Sequence, residues 1–267
     1  MKIGIVGCGG RMGRMLVAQV HETDGASLAG GTEVPGSPLI GEDVAQLAGL
    51  PASGVAVTDD VDALFAASDA VIDFTLPTAT VGHAQAAMKH KTALVIGTTG
   101  LSANEQGVLE EAAKQVPVIQ APNMSVGVNL LFALTKQVAE ILDEDYDIEI
   151  VEMHHRHKVD APSGTALGLG KAAAAGRKVD LDSVADKVRD GHTGARKKGD
   201  IGFATLRGGD VVGDHTVVFA ADGERIELTH KASSRQVFAR GAVRGAMWCK
   251  DKAPGLYSMQ DVLGFSG

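Results

Sequence analysis

The residues best equipped for chemistry lie in one run: Glu152-Met153-His154-His155-Arg156-His157-Lys158-Val159-Asp160-Ala161-Pro162-Ser163-Gly164-Thr165. Imidazoles titrate near neutral pH, and a lysine donates a proton or holds a carboxylate. The Pro-Ser-Gly-Thr step that follows reads as a helix start, whose unpaired N–H groups attract negative charge. Together they describe an anion-holding, proton-handling site. A solvated basic loop is the plain alternative. It is disfavoured because three histidines fall within four residues of a chain carrying 25 Lys+Arg against 33 Asp+Glu. That acidic balance also argues against a nucleic-acid surface, which needs a basic face.

Two rival chemistries use the same residues. His154, His155 and His157 are types that ligate metal, but adjacent histidines on a strand diverge, and Arg156 and Lys158 repel a cation. No metal is expected. A hydrolase built on Ser163 lacks a nucleophile elbow.

The elements that must position this run follow from periodicity. Lys2 to Val6 is a β-branched strand leading into Gly7-Cys8-Gly9-Gly10-Arg11-Met12-Gly13, and apolar residues at Met12, Met15, Leu16 and Val20 make the next segment a helix. Strand, glycine turn and helix form a dinucleotide-binding unit: Gly7 permits the turn, the middle glycines admit a pyrophosphate, and Gly13 lets helix approach strand. Glu33 ends a second strand, Ser27 to Thr32, and is placed to accept hydrogen bonds from an adenosine ribose. No cation follows it, since Val34, Pro35 and Gly36 come next, so NADH is favoured over NADPH or both are used. Arg11 and Arg14 are the remaining cations within reach of a 2′-phosphate.

Further strands are expected at Ala70 to Thr75, Thr92 to Gly97 and Val116 to Gln120, with helices between, as in a parallel sheet buried on both faces. The loops Gly97-Thr98-Thr99-Gly100 and Pro122-Asn123-Met124-Ser125 then lie at the carboxyl ends of strands, where cofactor and substrate meet. From Val128 a helix leads to a strand, Asp147 to Met153, ending at the basic run, and an alanine-rich helix follows to about Ala175. The polar segment Asp180 to Asp200 reads as a mobile loop over the site. Phe203 to Arg207, His215 to Ala220 and Arg225 to Lys231 read as antiparallel strands, with hairpin turns at Gly208-Gly209 and Asp222-Gly223. A last helix, capped by Ser233 or Ser234, is expected to pack back on the first domain.

The fold class is thus α/β: a Rossmann-type parallel-sheet dinucleotide-binding domain plus an α+β substrate and oligomerisation domain with a mixed or antiparallel sheet. The boundaries are 1–126 with 234–267 for the first and 127–233 for the second. Cys8 and Cys249 are too far apart for a metal-binding spacing and read as reduced core residues. No apolar run approaches the roughly 20 residues needed to cross a bilayer, and the opening strand runs straight into the glycine loop, so the expected location is the cytoplasm.

At the basic run the chain resembles the 4-hydroxy-tetrahydrodipicolinate reductase (dihydrodipicolinate reductase) family. Similar too are the Gly-Gly-Arg-Met-Gly, Gly-Thr-Thr-Gly, Asn-Met-Ser-Val-Gly-Val-Asn and Gly-Phe-Ala-Thr-Leu-Arg-Gly-Gly-Asp segments. The resemblance spans nearly the whole chain. It implies reduction of a cyclic dicarboxylate by NADH or NADPH in the diaminopimelate route to lysine. It implies His154 as acid/base residue, Lys158 as proton donor, and His155, Gly164 and Thr165 as substrate-binding. It further implies a cofactor site lined by Gly7, Cys8, Gly9, Gly10, Arg11, Met12, Glu33, Gly97, Thr98, Thr99, Ala121, Pro122, Asn123 and Met124. A homotetramer is implied as well. Two other classes fit parts of the sequence. A reductase of another amino-acid-derived imine would not require the His-His-Arg-His-Lys run. A cofactor sensor would bind NADH without turnover.

Overall fold

The computed structural model describes residues 1–265 and divides them into two compact units, one made of Met1–Val126 with the chain from Gln236 onward, the other of Gly127–Arg235.

In the first unit the chain alternates strand and helix: β1 (Lys2–Val6), α1 (Arg11–Glu22), β2 (Ser27–Thr32), α2 (Val44–Leu47), β3 (Val57–Thr58), α3 (Val61–Ala67), β4 (Ala70–Asp73), α4 (Pro77–His90), β5 (Ala93–Ile96), α5 (Ala103–Ala113) and β6 (Pro117–Gln120). The strands form a parallel sheet in the order β3-β2-β1-β4-β5-β6. This is the Rossmann order, with its switch point between β1 and β4. Strands β4 and β5 are buried at every residue, which explains their unbroken apolar sequence. One face packs Ile3, Ile5, Leu16 and Val20 with Ala242, Val243 and Ala246; the other packs Leu64, Phe65, Leu94, Ile96 and Leu109.

The second unit starts with α6 (Val126–Ile141) and continues through β7 (Asp147–His154), α7 (Gly164–Arg177), α8 (Leu181–Val184), β8 (Ala185–Asp186), β9 (Ile201–Arg207), β10 (Gly213–Ala221) and β11 (Glu224–Ala232). Its sheet has the order β11-β10-β7-β9-β8. Ile148, Ile150, Val217 and Phe219 bury against Leu131, Leu169 and Ala173 of the helices.

Two expectations for this unit are corrected. Gly208-Gly209 is not a hairpin turn, because β9 runs parallel to β7 while β10 pairs antiparallel on the other side of β7; the sheet is mixed. The Asp222-Gly223 turn does close a hairpin, with Ala221 opposite Glu224. The polar segment before β9 is not a loop over the basic run. Arg189 and Arg196 both bind Glu149, and Arg196 also binds Asp147, so the segment is tied to the opposite end of β7 from His154.

The chain then returns to the first unit as α9 (Gln236–Trp248), β12 (Gly255–Tyr257) and α10 (Met259–Leu263), with β12 extending the parallel sheet beyond β6. Among the described residues no helix is long and apolar enough to cross a membrane.

Candidate active site

Strand β7 delivers the chemistry of the second unit. Its side chains alternate, so Glu152 and His154 face inward together while Met153 faces the other way. The His154 Nδ1 lies 2.5 Å from Glu152 Oε2. A carboxylate only accepts, so this contact places the proton on Nδ1 and leaves the Nε2 lone pair for chemistry. That nitrogen lies against Gly213, where a Cβ would sit 3.0 Å from it; glycine leaves that edge open.

Glu152, only 1% exposed, is the hub of the site. It also accepts from both terminal nitrogens of Arg207 at 2.8 and 3.0 Å and from the Ser163 N–H at 3.0 Å. Burial pushes its carboxyl up, but the hydrogen bonds from Arg207, His154 and Ser163 more than offset this and hold it below its ordinary value. Burial lowers the His154 pKa; Glu152 opposes that shift, while Lys158 and Arg207 reinforce it. His154 is therefore an imidazole that gives up a proton readily.

His215 closes the cluster. Its ring meets that of His154 edge to face at 5.0 Å between centroids, and its Nε2 is 3.2 Å from Ser163 Oγ. Burial first, then the neighbouring His154, lowers its pKa to about 4. The unfolded chain takes up this proton near pH 6.5 while the folded chain resists until about 4. The stability of the neutral ring is thus fully present above pH 6.5 and is lost as pH falls towards 4, in all on the order of 3 kcal/mol. Thermal melts across that range should show a decline that His215→Gln flattens; an equal slope in the variant would remove this account.

Beyond β7 the chain turns, and Lys158 pairs with Asp160 at 2.8 Å, both partly open to water. Such a pair is worth at most about 1 kcal/mol, so Lys158 is easily released to another carboxylate. Ser163 caps α7, its Oγ accepting from the Ala166 N–H at 3.1 Å; the first turn holds no acidic residue, and Gly164 is exposed with open space around it. His155 faces away from Glu152, and its Nε2 lies 3.4 Å from an Arg235 nitrogen. Arg235, Glu152, Arg207, Ser163 and His215 received no role from sequence. A signal existed for Glu152 alone, two residues from His154 on the same strand face.

In the first unit the glycine turn is built as expected. Gly7 has φ 67°, and a Cβ on Gly13 would lie 2.1 Å from the Gly7 carbonyl. The α1 N-terminus has no side-chain cap, leaving its first amides to an anion. The Glu33 carboxylate accepts from the Gly9 N–H at 2.8 Å. A Cβ on Gly9 would fall 2.2 Å from the Leu39 side chain, which would have to move aside. A cavity of about 770 Å³ opens beside Gly7, Glu33 and Val34 and runs to Thr75, Leu76 and His83. These features fit a dinucleotide.

Four residues of the expected cofactor lining turn their side chains inward. Cys8 is fully buried in the core with its thiol pushed up to about 11, and its N–H is taken by the Thr32 carbonyl. The Ala121 and Met124 side chains are also core, leaving only backbone at that loop. The Thr98 hydroxyl points at Asp73 instead of into open space.

The sequence match agrees with this geometry. The family described as Dihydrodipicolinate reductase, N-terminus, matches residues 1–124, and Dihydrodipicolinate reductase, C-terminus, matches residues 127–263. A 4-hydroxy-tetrahydrodipicolinate reductase of Rhodopseudomonas palustris (strain BisB5) is 56% identical over 266 residues, covering 100% of this chain and 98% of that protein. Another, of Dinoroseobacter shibae, is 58% identical over 262 residues, covering 98% and 97%. Among solved structures, a dipicolinate-bound dihydrodipicolinate reductase from Paenisporosarcina sp. TG-14 superposes with a TM-score of 0.77 at 23% identity, covering 98% of each chain, and so shares the fold. With both halves matched and relatives more than half identical along the whole length, the chain belongs to the dihydrodipicolinate reductase family.

Proposed function

We propose that this chain reduces 4-hydroxy-tetrahydrodipicolinate to tetrahydrodipicolinate in the diaminopimelate route to lysine. The observation that carries the reading is the end-to-end identity of 56–58% to proteins bearing that enzyme's name.

The reaction adds a hydride equivalent and a proton and releases the 4-hydroxyl as water. The bound nicotinamide supplies the hydride equivalent. Residues of the second unit handle the protons and the two carboxylates. His154, oriented by Glu152, gives and takes a proton at Nε2; Lys158, freed from Asp160, donates a second proton or grips a carboxylate. The α7 N-terminus at Gly164 and Thr165 holds the other carboxylate with backbone N–H groups, and His155 lies beside Arg235 for the same purpose. Arg11, Met12 and the glycine turn face the pyrophosphate. Gly97, Thr99, Pro122 and Asn123 form the loops at the nicotinamide end.

NADH is the preferred cofactor in this proposal. Val34, 69% exposed, stands where a cation would meet a 2′-phosphate. The next strand adds to the effect: Thr32 pairs with Thr58, and the Glu33 N–H bonds the Thr58 carbonyl at 3.0 Å, so Asp59 follows at the neighbouring strand end. Glu33, Asp59 and Asp60 line the cavity there and disfavour a phosphate, and the cavity's lysine, Lys89, is paired with Asp62. Val34→Arg should lower the dissociation constant for NADPH several-fold and leave that for NADH nearly unchanged; calorimetry giving an unaltered ratio would remove Val34 from the adenosine ribose.

A homotetramer belongs to the same proposal. It is supported by the second sheet, whose face bearing Val151, Met153, Ala204, Leu206 and Val218 lies opposite the face that the helices cover through Leu131, Leu169 and Ala173. The reaction itself is tested by following oxidation of NADH and NADPH with substrate formed in place by the preceding synthase. Rapid oxidation is expected. NADH binding without oxidation would favour the sensor or another imine substrate.

A further inference from the structure

Asp73 ends β4 beside the switch point and is fully buried, yet nothing in the proposed chemistry uses it. Its neighbours Val71 and Ile72 show what the position would hold if only packing mattered. Instead a carboxylate collects five donors: the Thr75 N–H at 2.8 Å, the Thr75 hydroxyl at 2.6 Å, the Thr80 hydroxyl at 2.8 Å, the His83 Nδ1 at 2.8 Å and the Thr98 hydroxyl at 3.2 Å. Burying an ion costs several kcal/mol that a valine would not incur, so the gain lies in what the bonds arrange.

They arrange two loops. Thr75 lies in the turn between β4 and α4, which lines the cavity together with Leu76 and His83. Thr98 lies in the Gly97-Thr98-Thr99 loop after β5. A second lock joins the same loops: the Gly97 N–H bonds the Asp73 carbonyl at 2.9 Å, and the Phe74 ring packs so closely that a Cβ on Gly97 would fall 2.3 Å from it. Thr80 and His83 anchor the carboxylate from α4. Burial pushes the Asp73 carboxyl up, and the bonds from His83 and Thr75 pull it below its ordinary value, so it stays ionised.

We infer that Asp73 is a positioning residue for the cofactor: through Thr98 and Thr75 it holds the loops after β5 and β4 in the form that receives the dinucleotide. The inference rests on the reading of the first unit as the cofactor site. In it the Thr98 hydroxyl acts as a strut between the two loops and not as a direct cofactor contact.

The test is NADH affinity measured by fluorescence titration well below the melting temperature, beside a thermal melt of each variant. Thr98→Val keeps the shape and removes one bond to the hub; it should raise the NADH dissociation constant about tenfold, and Thr98→Ser should restore it. Asp73→Asn should raise it at least as much. Thr80→Val removes a bond to the same carboxylate from a residue outside either loop; it should lower the melting temperature and leave NADH affinity unchanged. Wild-type affinity in folded Thr98→Val would overturn the inference alone, and that variant decides the matter if Asp73→Asn does not fold. A wild-type protein that does not bind NADH overturns the cofactor reading and the inference with it.

Discussion

His154→Ala should lower turnover by at least about a hundredfold while NADH affinity stays within about twofold of wild type. The size comes from the job assigned to Nε2. Loss of the 4-hydroxyl as water and protonation of the electron-rich product both need an acid within hydrogen-bond reach, and the proposed function gives that role to His154, which the buried Glu152 orients. The lack of effect on NADH comes from its place in the second unit, whereas the glycine turn and Glu33 belong to the first. Lys158→Ala provides the contrast. Lysine both donates and grips, so its loss should raise the substrate KM as well as lower kcat. Steady-state kinetics with NADH titrations check both. Unchanged turnover in the two variants would sink the assignment of this site.

Glu152→Gln is the second large effect, because it strikes stability and turnover together. The carboxylate accepts from Arg207, His154 and the Ser163 N–H, and an amide offers one oxygen where two were used. Whichever way it turns, its NH₂ faces a donor. Arg207 loses its countercharge, and a cost of roughly 3 kcal/mol is expected. His154 loses the acceptor that fixes its proton on Nδ1, so turnover should fall by on the order of a hundredfold. Thermal denaturation and kcat on the folded variant separate the two. A lower melting temperature with full turnover would make Glu152 a structural residue only.

How much of this was legible beforehand follows from how local each signal is. The first sheet was legible because buried parallel strands are unbroken apolar runs with glycine turns between. β3 and β12, two and three residues long, carry no such pattern and form only because β2 and β6 offer free edges. The mixed second sheet was missed at one point: Gly208-Gly209 is a sound local turn signal, but which strand β9 pairs with depends on β7, some 50 residues earlier in the chain. The same distinction governs the site. His154, His155, Lys158, Gly164 and Thr165 sit in one contiguous run and were read from it. His215 and Arg207 reach Glu152 only through the pairing of β10 and β9 with β7. Cys8 is buried in the core, as its isolation from Cys249 in sequence led one to expect, so only its backbone is left to the glycine turn. The bond from Thr98 to Asp73 carries no local signal, because Asp73 lies on a different strand.

The discontinuity of the first unit bears on how the protein is made. Ala239, Ala242, Val243, Ala246, Met259 and Val262 complete the apolar core begun by Ile3, Ile5 and Leu16. A ribosome that has released only the first 126 residues has therefore released a half whose one sheet face is covered by α1 over β1 and β2 but lacks α9 over β4 and β5. The second unit, continuous from Gly127 to Arg235, has all its own strands before that face is covered. The segment synthesised first is thus the last to be finished. Nascent chains stalled before α9 expose an apolar sheet face, the kind of surface that chaperones hold and that aggregates when they do not.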